Sequence, residues 1–578
     1  MNRIQKLLSL LLVLLMLVGM VGCQNPPETT GSQSLEQPGT STPATQPSST
    51  APTQTTPPTT PPTTPPTVPP TTAPKDPQAP ANVPPVYELT QEDVDEYYRL
   101  LGECETLALA GEDMTAIENA FDALDALYEF LFAQNSVASI LYYSNMKDQA
   151  LTDQHLGCMD ICTEANSAYI QMTRRVYLSD TPAKEMLFEG WSEQDIAFLL
   201  SYSDEVVQLN KRISEITVEY QNTRDDNTKI ELYKEMVTVN NQIAQLSGYD
   251  NYYTYASELV CNRDYSADQI EQMRGYAKQY MADLYKTALE TYRKNYGRLS
   301  SVKQNSVDAF LNKDYTSIRA DHIGNYLAVM PDAMEAHILT MIREDSLFTK
   351  EYGAMAGAFT TTIGERSYCF FGPGYANLAT VVHEGGHYYA SQYNDLNSIP
   401  LDLAETHSQA NEWLFFAYLD GKFAANEYQC VLDYRFCSDL STILSCLMID
   451  EFEQKVYSSD VSSFTANDFD AIMDSIVTEY FDLSYSETNF ADMNSFWRLV
   501  VVDHPVYYLS YAVSAVAAID LYTVALEDFA GASEIYRKLC EEPVLEAGFL
   551  GNITAAGLSG PFDESFYLEL QAIINSRK

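Results

Sequence analysis

The chain has 578 residues, 46% of them hydrophobic and 12% aromatic, which excludes wholesale disorder. Its 34 Lys and Arg stand against 80 Asp and Glu, a formal net charge of -46. Nucleic acid is excluded as a partner, because phosphate binding needs concentrated positive charge. The acidic surface serves to solvate an exported protein, with attraction of cationic peptides as the alternative reading.

In chain order, Arg3 and Lys6 precede an apolar run from Leu7 to Met20. That run is shorter than the ~20 residues a spanning helix needs and reads as an export signal. Met20-Val21-Gly22-Cys23 resembles a bacterial lipobox. The resemblance implies a lipoprotein signal over residues 1–23, a lipid on Cys23, and anchoring to the outer face of a bacterial cell membrane. Residues 24–85 are dominated by Thr, Pro, Ser and Gln, cannot bury a core, and read as an extended tether. The remainder is long enough for two or three helical subdomains. We expect an N-terminal helical domain over 86–200 and a catalytic domain over 201–578.

From Tyr87 onward the pattern is helical. Thr90 before Gln91, Glu92 and Asp93 reads as a helix start, as do Ser192-x-x-Asp195 and Ser266-x-x-Gln269. Ile117, Phe121, Leu124, Tyr128 and Leu131 recur at helical spacing and predict one buried face. The nine cysteines after Cys23 show no pairing framework, and an odd number in an exported chain reads as buried small apolar residues. Between Gly353 and Gly374 the pattern changes. Ala358 to Ile363 and Ser367 to Phe371 are β-prone runs separated by Gly364-Glu365-Arg366, which predicts a small hairpin or sheet.

A helix follows, Asn377 to Ala390, carrying His383-Glu384-Gly385-Gly386-His387. Histidines four apart project from one helical face and can hold one metal, with the intervening glutamate beside it. Zinc lowers the pKa of its water toward ~7, so Glu384 can act as general base on zinc-bound water. Gly385 and Gly386 each cost ~1 kcal/mol mid-helix, which implies that another backbone or a substrate approaches closely. Zinc needs a third protein ligand, for which Glu405, His407 and Glu412 are the candidates. On a predicted helix over Leu403–Tyr418, Glu405, Ser408, Gln409 and Glu412 share a face, while His407 points about 200° away. Glu405 is the best ligand, and Glu412 is placed to hydrogen-bond a zinc histidine from behind.

These motifs resemble the thimet oligopeptidase and oligoendopeptidase F group of zinc peptidases. That group pairs a His-Glu-x-Gly-His helix with a later Glu-x-x-Ser-x-x-x-Glu helix, here His383 to His387 and Glu405-Thr-His-Ser408-Gln-Ala-Asn-Glu412. The likeness extends to Leu246-Ser-Gly-Tyr249-Asp-Asn-Tyr252-Tyr253, to Gly357-Ala358-Phe359 and to His504-Pro-Val-Tyr507-Tyr508-Leu-Ser-Tyr511. It implies a mostly α, two-lobed metallopeptidase with a deep central channel, and a zinc metalloendopeptidase activity on short peptides. It further implies His383, His387 and Glu405 as ligands of one zinc per chain, and Glu384 as general base. His504 and Tyr511 become the candidate oxyanion donors, with Tyr508 and Tyr507 as substitutes. Three departures mark this chain: Gly385 replaces a bulky apolar residue, the span from His387 to Glu405 is shortened, and His504-Pro505 differs from the usual run. The alternatives are an aminopeptidase, for which no motif gripping a free N-terminus is present, and a surface-binding lipoprotein on a degenerate enzyme fold.

Overall fold

The computed structural model describes residues 85–312, 321–395, 399–481, 493–502 and 504–578. The export signal, Cys23 and all but the last residue of the tether lie outside the described residues. Helices dominate the rest, and three of them start where the sequence signals them. Thr90, Ser192 and Ser266 each form a capping box with Asp93, Asp195 and Gln269, so two otherwise orphaned backbone donors are satisfied at each start. The stripe from Ile117 to Leu131 falls within the helix Met114–Ser144, and all five members are buried.

One apolar core is built from residues between Tyr87 and Leu187, on the helices Gln91–Ala110, Met114–Ser144 and Gln149–Leu178. A second, larger core runs from Ile170 to Ile574. The nine cysteines after Cys23 are all buried and unpaired, filling these cores as small apolar side chains. The helix Leu509–Glu527 is long and apolar enough to cross a membrane, yet 83% of its apolar window is buried inside the protein. It packs along the helix Leu401–Tyr418.

The expected hairpin is present within a three-stranded sheet of order β1-β3-β2, with β1 at Ser346–Phe348, β2 at Ala358–Ile363 and β3 at Arg366–Phe371. Its register runs from Ala358 opposite Phe371 to Ile363 opposite Arg366. The turn is thus Gly364-Glu365 alone, with Gly364 at φ +63°, and Arg366 belongs to the ladder instead of the turn. Alternation along β2 gives the sheet two jobs. Thr361 donates a hydrogen bond to Ser136 (3.0 Å), and Phe359 and Phe370 pack with Ile140 and Tyr143 of the helix Met114–Ser144. Thr360 and Cys369 face the opposite way, toward the helix Leu378–Ser391. A one-residue slip would exchange these faces.

Candidate metal centre

The helix Leu378–Ser391 begins at Asn377, whose side-chain oxygen accepts the Thr380 N–H at 3.0 Å. Its second and third turns present His383 and His387, with ring centroids 5.2 Å apart. The helix Leu401–Tyr418 lies against it and brings up Glu405. One donor atom from each of His383, His387 and Glu405 lies within 4.8 Å of the others. Their side chains are 11%, 12% and 6% exposed, so the cluster is sheltered from bulk water.

Gly386 explains how the two helices come so close. A Cβ there would sit 2.4 Å from the His407 carbonyl oxygen and 2.7 Å from the Ser408 Cα. The approaching group is the backbone of the second helix. At Gly385 the nearest atom to a Cβ would be the Cδ1 of Ile338, at 3.2 Å, a side-chain tip that can yield. Gly386→Ala is therefore expected to destabilise by about 2–3 kcal/mol or more and to spread the three donors, whereas Gly385→Ala costs less. Urea midpoints and zinc content of the two variants check this; equal effects would remove the backbone contact as the cause.

The electrostatics suit a cation. Burial pushes the Glu405 carboxyl up to about 7. Burial also pushes His387 well below its ordinary value, with His383 and His407 adding to it, so its imidazole is neutral at neutral pH and its ring nitrogen is available as a ligand. Tyr507 donates to Glu405 Oε1 at 3.1 Å, while Oε2 is buried without a hydrogen-bond partner, 3.9 Å from His387 Nε2. A bare carboxylate oxygen buried beside two imidazoles fits a divalent metal, which would satisfy the oxygen and hold the carboxylate ionised.

Glu384 is fully buried next to this cluster. Thr360 of β2 donates to its Oε2 at 2.7 Å, and its Oε1 has no hydrogen-bond partner. Burial raises its carboxyl, against the lowering influence of His383 and Thr360. Behind His383, Nδ1 lies 2.7 Å from Glu412 Oε1, and Glu412 in turn pairs with Arg435. Burial alone would raise Glu412, but Arg435 and His383 outweigh it and hold the carboxyl below its ordinary value. Arg435 also reaches Asp439 at 2.9 Å, which accepts the Trp413 indole N–H at 2.6 Å. His407 turns away, as its helical angle predicts, with Nε2 2.9 Å from the Leu539 carbonyl.

Of the four C-terminal candidates, Tyr507 is the one whose hydroxyl meets Glu405. The Tyr511 hydroxyl lies 3.3 Å from that of Tyr507. The His504 ring stands 5.2 Å from the Tyr507 ring, and burial pushes its imidazole down to about 4. Tyr508 packs against Phe496, Tyr507 and Tyr511. Sequence reasoning missed Thr360, Arg435 and Asn411, whose side chain donates to the Val382 carbonyl at 2.7 Å and ties the two helices together. The available signal was the inward parity of Thr360 on β2; Arg435 and Asn411 carry none.

No protein-family model matches the chain, and no curated protein matches it by sequence. Solved structures do. PZ peptidase A, in complex with an inhibitor, superposes with a TM-score of 0.65 at 15% identity, over 85% of this chain and 98% of that one. A provisionally assigned oligoendopeptidase F gives 0.65 at 17% identity, over 85% and 97%. Another, from Bacillus anthracis str. Ames, gives 0.63 at 15% identity, again over 85% and 97%. At these identities the likeness is one of fold, and it spans nearly the whole of each neighbour. In fold, this chain is therefore of the oligoendopeptidase F and PZ peptidase type, the group its two helical motifs resemble.

Proposed function

We propose that the chain is a zinc-dependent endopeptidase of short peptides, with His383, His387 and Glu405 holding one zinc and Glu384 as general base. The observation that carries this is the convergence of one donor atom from each of the three residues within 4.8 Å, with a Glu405 carboxylate oxygen buried and without a hydrogen-bond partner. A metal held by His383, His387 and Glu405 would supply a Lewis acid able to polarise a scissile carbonyl and acidify water near neutral pH. Glu384 takes the proton of the attacking water on Oε1, because Thr360 already occupies Oε2, and delivers it to the departing amine. Glu412 accepts from Nδ1 of His383, which leaves Nε2 as the ligand atom. Tyr507 holds Oε1 of Glu405 and leaves Oε2 as the atom that would take a metal. Tyr511 is the first candidate to donate to the developing oxyanion, since its hydroxyl adjoins that of Tyr507, with His504 as a neutral N–H donor and Tyr508 as the further candidate. The restriction to short peptides follows the oligoendopeptidase names of two of the structural neighbours.

Metal analysis of the purified protein beside a digest of a random peptide pool tests this. The expected result is about one zinc per chain, activity lost to a chelator and restored by zinc, and cuts within short peptides. Stepwise release of single N-terminal residues would make the protein an aminopeptidase. Full zinc occupancy with no cleavage would make it a binding protein.

A further inference from the structure

Among the described residues two that are not glycine have positive φ, Asn262 at +50° and Val506 at +64°. A β-branched residue in that region is a genuine outlier, and persists only where its surroundings over-determine it. The two outliers meet at one junction. Val506 is fully buried, and the side chains of Glu453 and Arg263 bond its peptide groups from both sides. Glu453, from the helix Ala425–Tyr457, accepts the Val506 N–H at 2.8 Å. Arg263, next to Asn262, donates to the Val506 carbonyl at 2.7 Å and lies 3.3 and 3.4 Å from the hydroxyls of Ser257 and Ser510. The Cys261 thiol points at the same carbonyl, 3.8 Å away. Cys261 itself follows a π-helical turn, Ala256–Val260, a distortion common at functional sites.

Burying a glutamate and an arginine is costly, and both are buried here. What they fix is the chain direction into the very next residue, Tyr507, whose hydroxyl sits on Glu405. With Val506 relaxed to negative φ, the following tyrosine would leave on a different path and Glu405 Oε1 would lose its donor.

We propose that Glu453 and Arg263 are positioning residues, a buried clamp that holds Val506 in the left-handed conformation and thereby keeps Tyr507 on the candidate metal ligand Glu405. The proposal rests on the zinc-site reading above. Burial pushes the Glu453 carboxyl well above the usual carboxylate range, which makes the neutral amide of glutamine its closest mimic.

Zinc affinity, measured by competition with a chelator, is the readout, with kcat and KM beside it. Glu453→Leu is expected to weaken zinc by ~10-fold or more, the usual worth of a group orienting a ligand, and to lower kcat more than it raises KM. Glu453→Gln keeps an acceptor oxygen and should stay within about threefold of the parent protein. Val506→Gly placed in the Glu453→Leu background should recover at least about threefold, because glycine adopts positive φ without strain. Wild-type zinc affinity in Glu453→Leu, or no recovery in the double variant, overturns the clamp. Should Glu453→Leu fail to fold, Arg263→Lys carries the test: its single ammonium cannot span the Val506 carbonyl and both hydroxyls, and a folded Arg263→Lys with unchanged zinc affinity overturns the clamp equally. Tyr507→Phe in the same assay separates the two levels. If it weakens zinc while the Glu453 and Arg263 variants do not, the clamp alone fails. If it changes nothing, the placement of Tyr507 fails and the clamp with it, while zinc binding by the three ligands stands.

Discussion

Glu384→Gln is expected to keep its zinc and lose kcat by a factor of ~10² to 10⁴, with KM little changed. The substitution preserves shape, and the glutamine carbonyl can still accept the Thr360 hydroxyl that now bonds Oε2 at 2.7 Å. The glutamine amide nitrogen, standing where Oε1 is now, cannot take up a proton. The loss corresponds to about 3–5.5 kcal/mol of transition-state stabilisation, and it falls on kcat because proton removal occurs only on the way to the transition state. Glu384 is not among the three residues whose donor atoms converge, so metal content should not follow activity. Zinc analysis and steady-state kinetics on the same preparation make the measurement. Near-normal turnover would overturn the general-base assignment; loss of metal would make Glu384 a ligand.

His383→Ala is expected to lose both zinc and activity, since two remaining ligands do not hold a catalytic zinc well. Its neighbours define a graded series. Glu405→Gln replaces a charged oxygen ligand with a neutral amide and should weaken zinc by more than ~100-fold. Glu412→Gln should cost ~10- to 100-fold, the range for a group that orients a ligand, because its contact is to Nδ1 of His383. It should also cost stability, by up to about 3–5 kcal/mol, because Arg435 is left as a buried charge with a weakened partner. Zinc titrations read beside chemical denaturation separate the two effects. Full metal occupancy in His383→Ala would sink the site. Retention in Glu405→Gln together with loss in Glu412→Gln or His407→Ala would mean that another residue is the third ligand.

Local physics made much of this protein legible from its sequence. A hydroxyl three residues before an acid or amide can close on its own helix end, so the starts at Thr90, Ser192 and Ser266 needed no tertiary knowledge. The 3.6-residue period put His383 and His387 on one face and separated Glu405 and Glu412 from His407, because helical geometry fixes side-chain direction whatever lies opposite. The cost of glycine in a helix announced a close approach at Gly385-Gly386, and two β-prone runs on either side of a glycine-led break announced the hairpin. Which element fills each of those faces was decided by tertiary packing. The backbone pressed on Gly386 is that of His407 and Ser408, while Gly385 faces the side chain of Ile338. Thr360 reaches Glu384 because β2 sets its inward face on the motif helix, and nothing in three consecutive threonines says which neighbour each will meet. Strand β1, three residues long, exists only because β3 offers it an edge. Among His504, Tyr507, Tyr508 and Tyr511 it is Tyr507 whose hydroxyl meets Glu405, and it follows a residue in an unexpected conformation. Val506 at φ +64° reverses the local propensity of a β-branched side chain, and its peptide N–H and carbonyl are bonded by Glu453 and Arg263, brought from positions 53 and 243 residues away. Interactions confined to a few neighbouring residues can be read along the chain, whereas those that join distant segments exist only once the whole chain has packed.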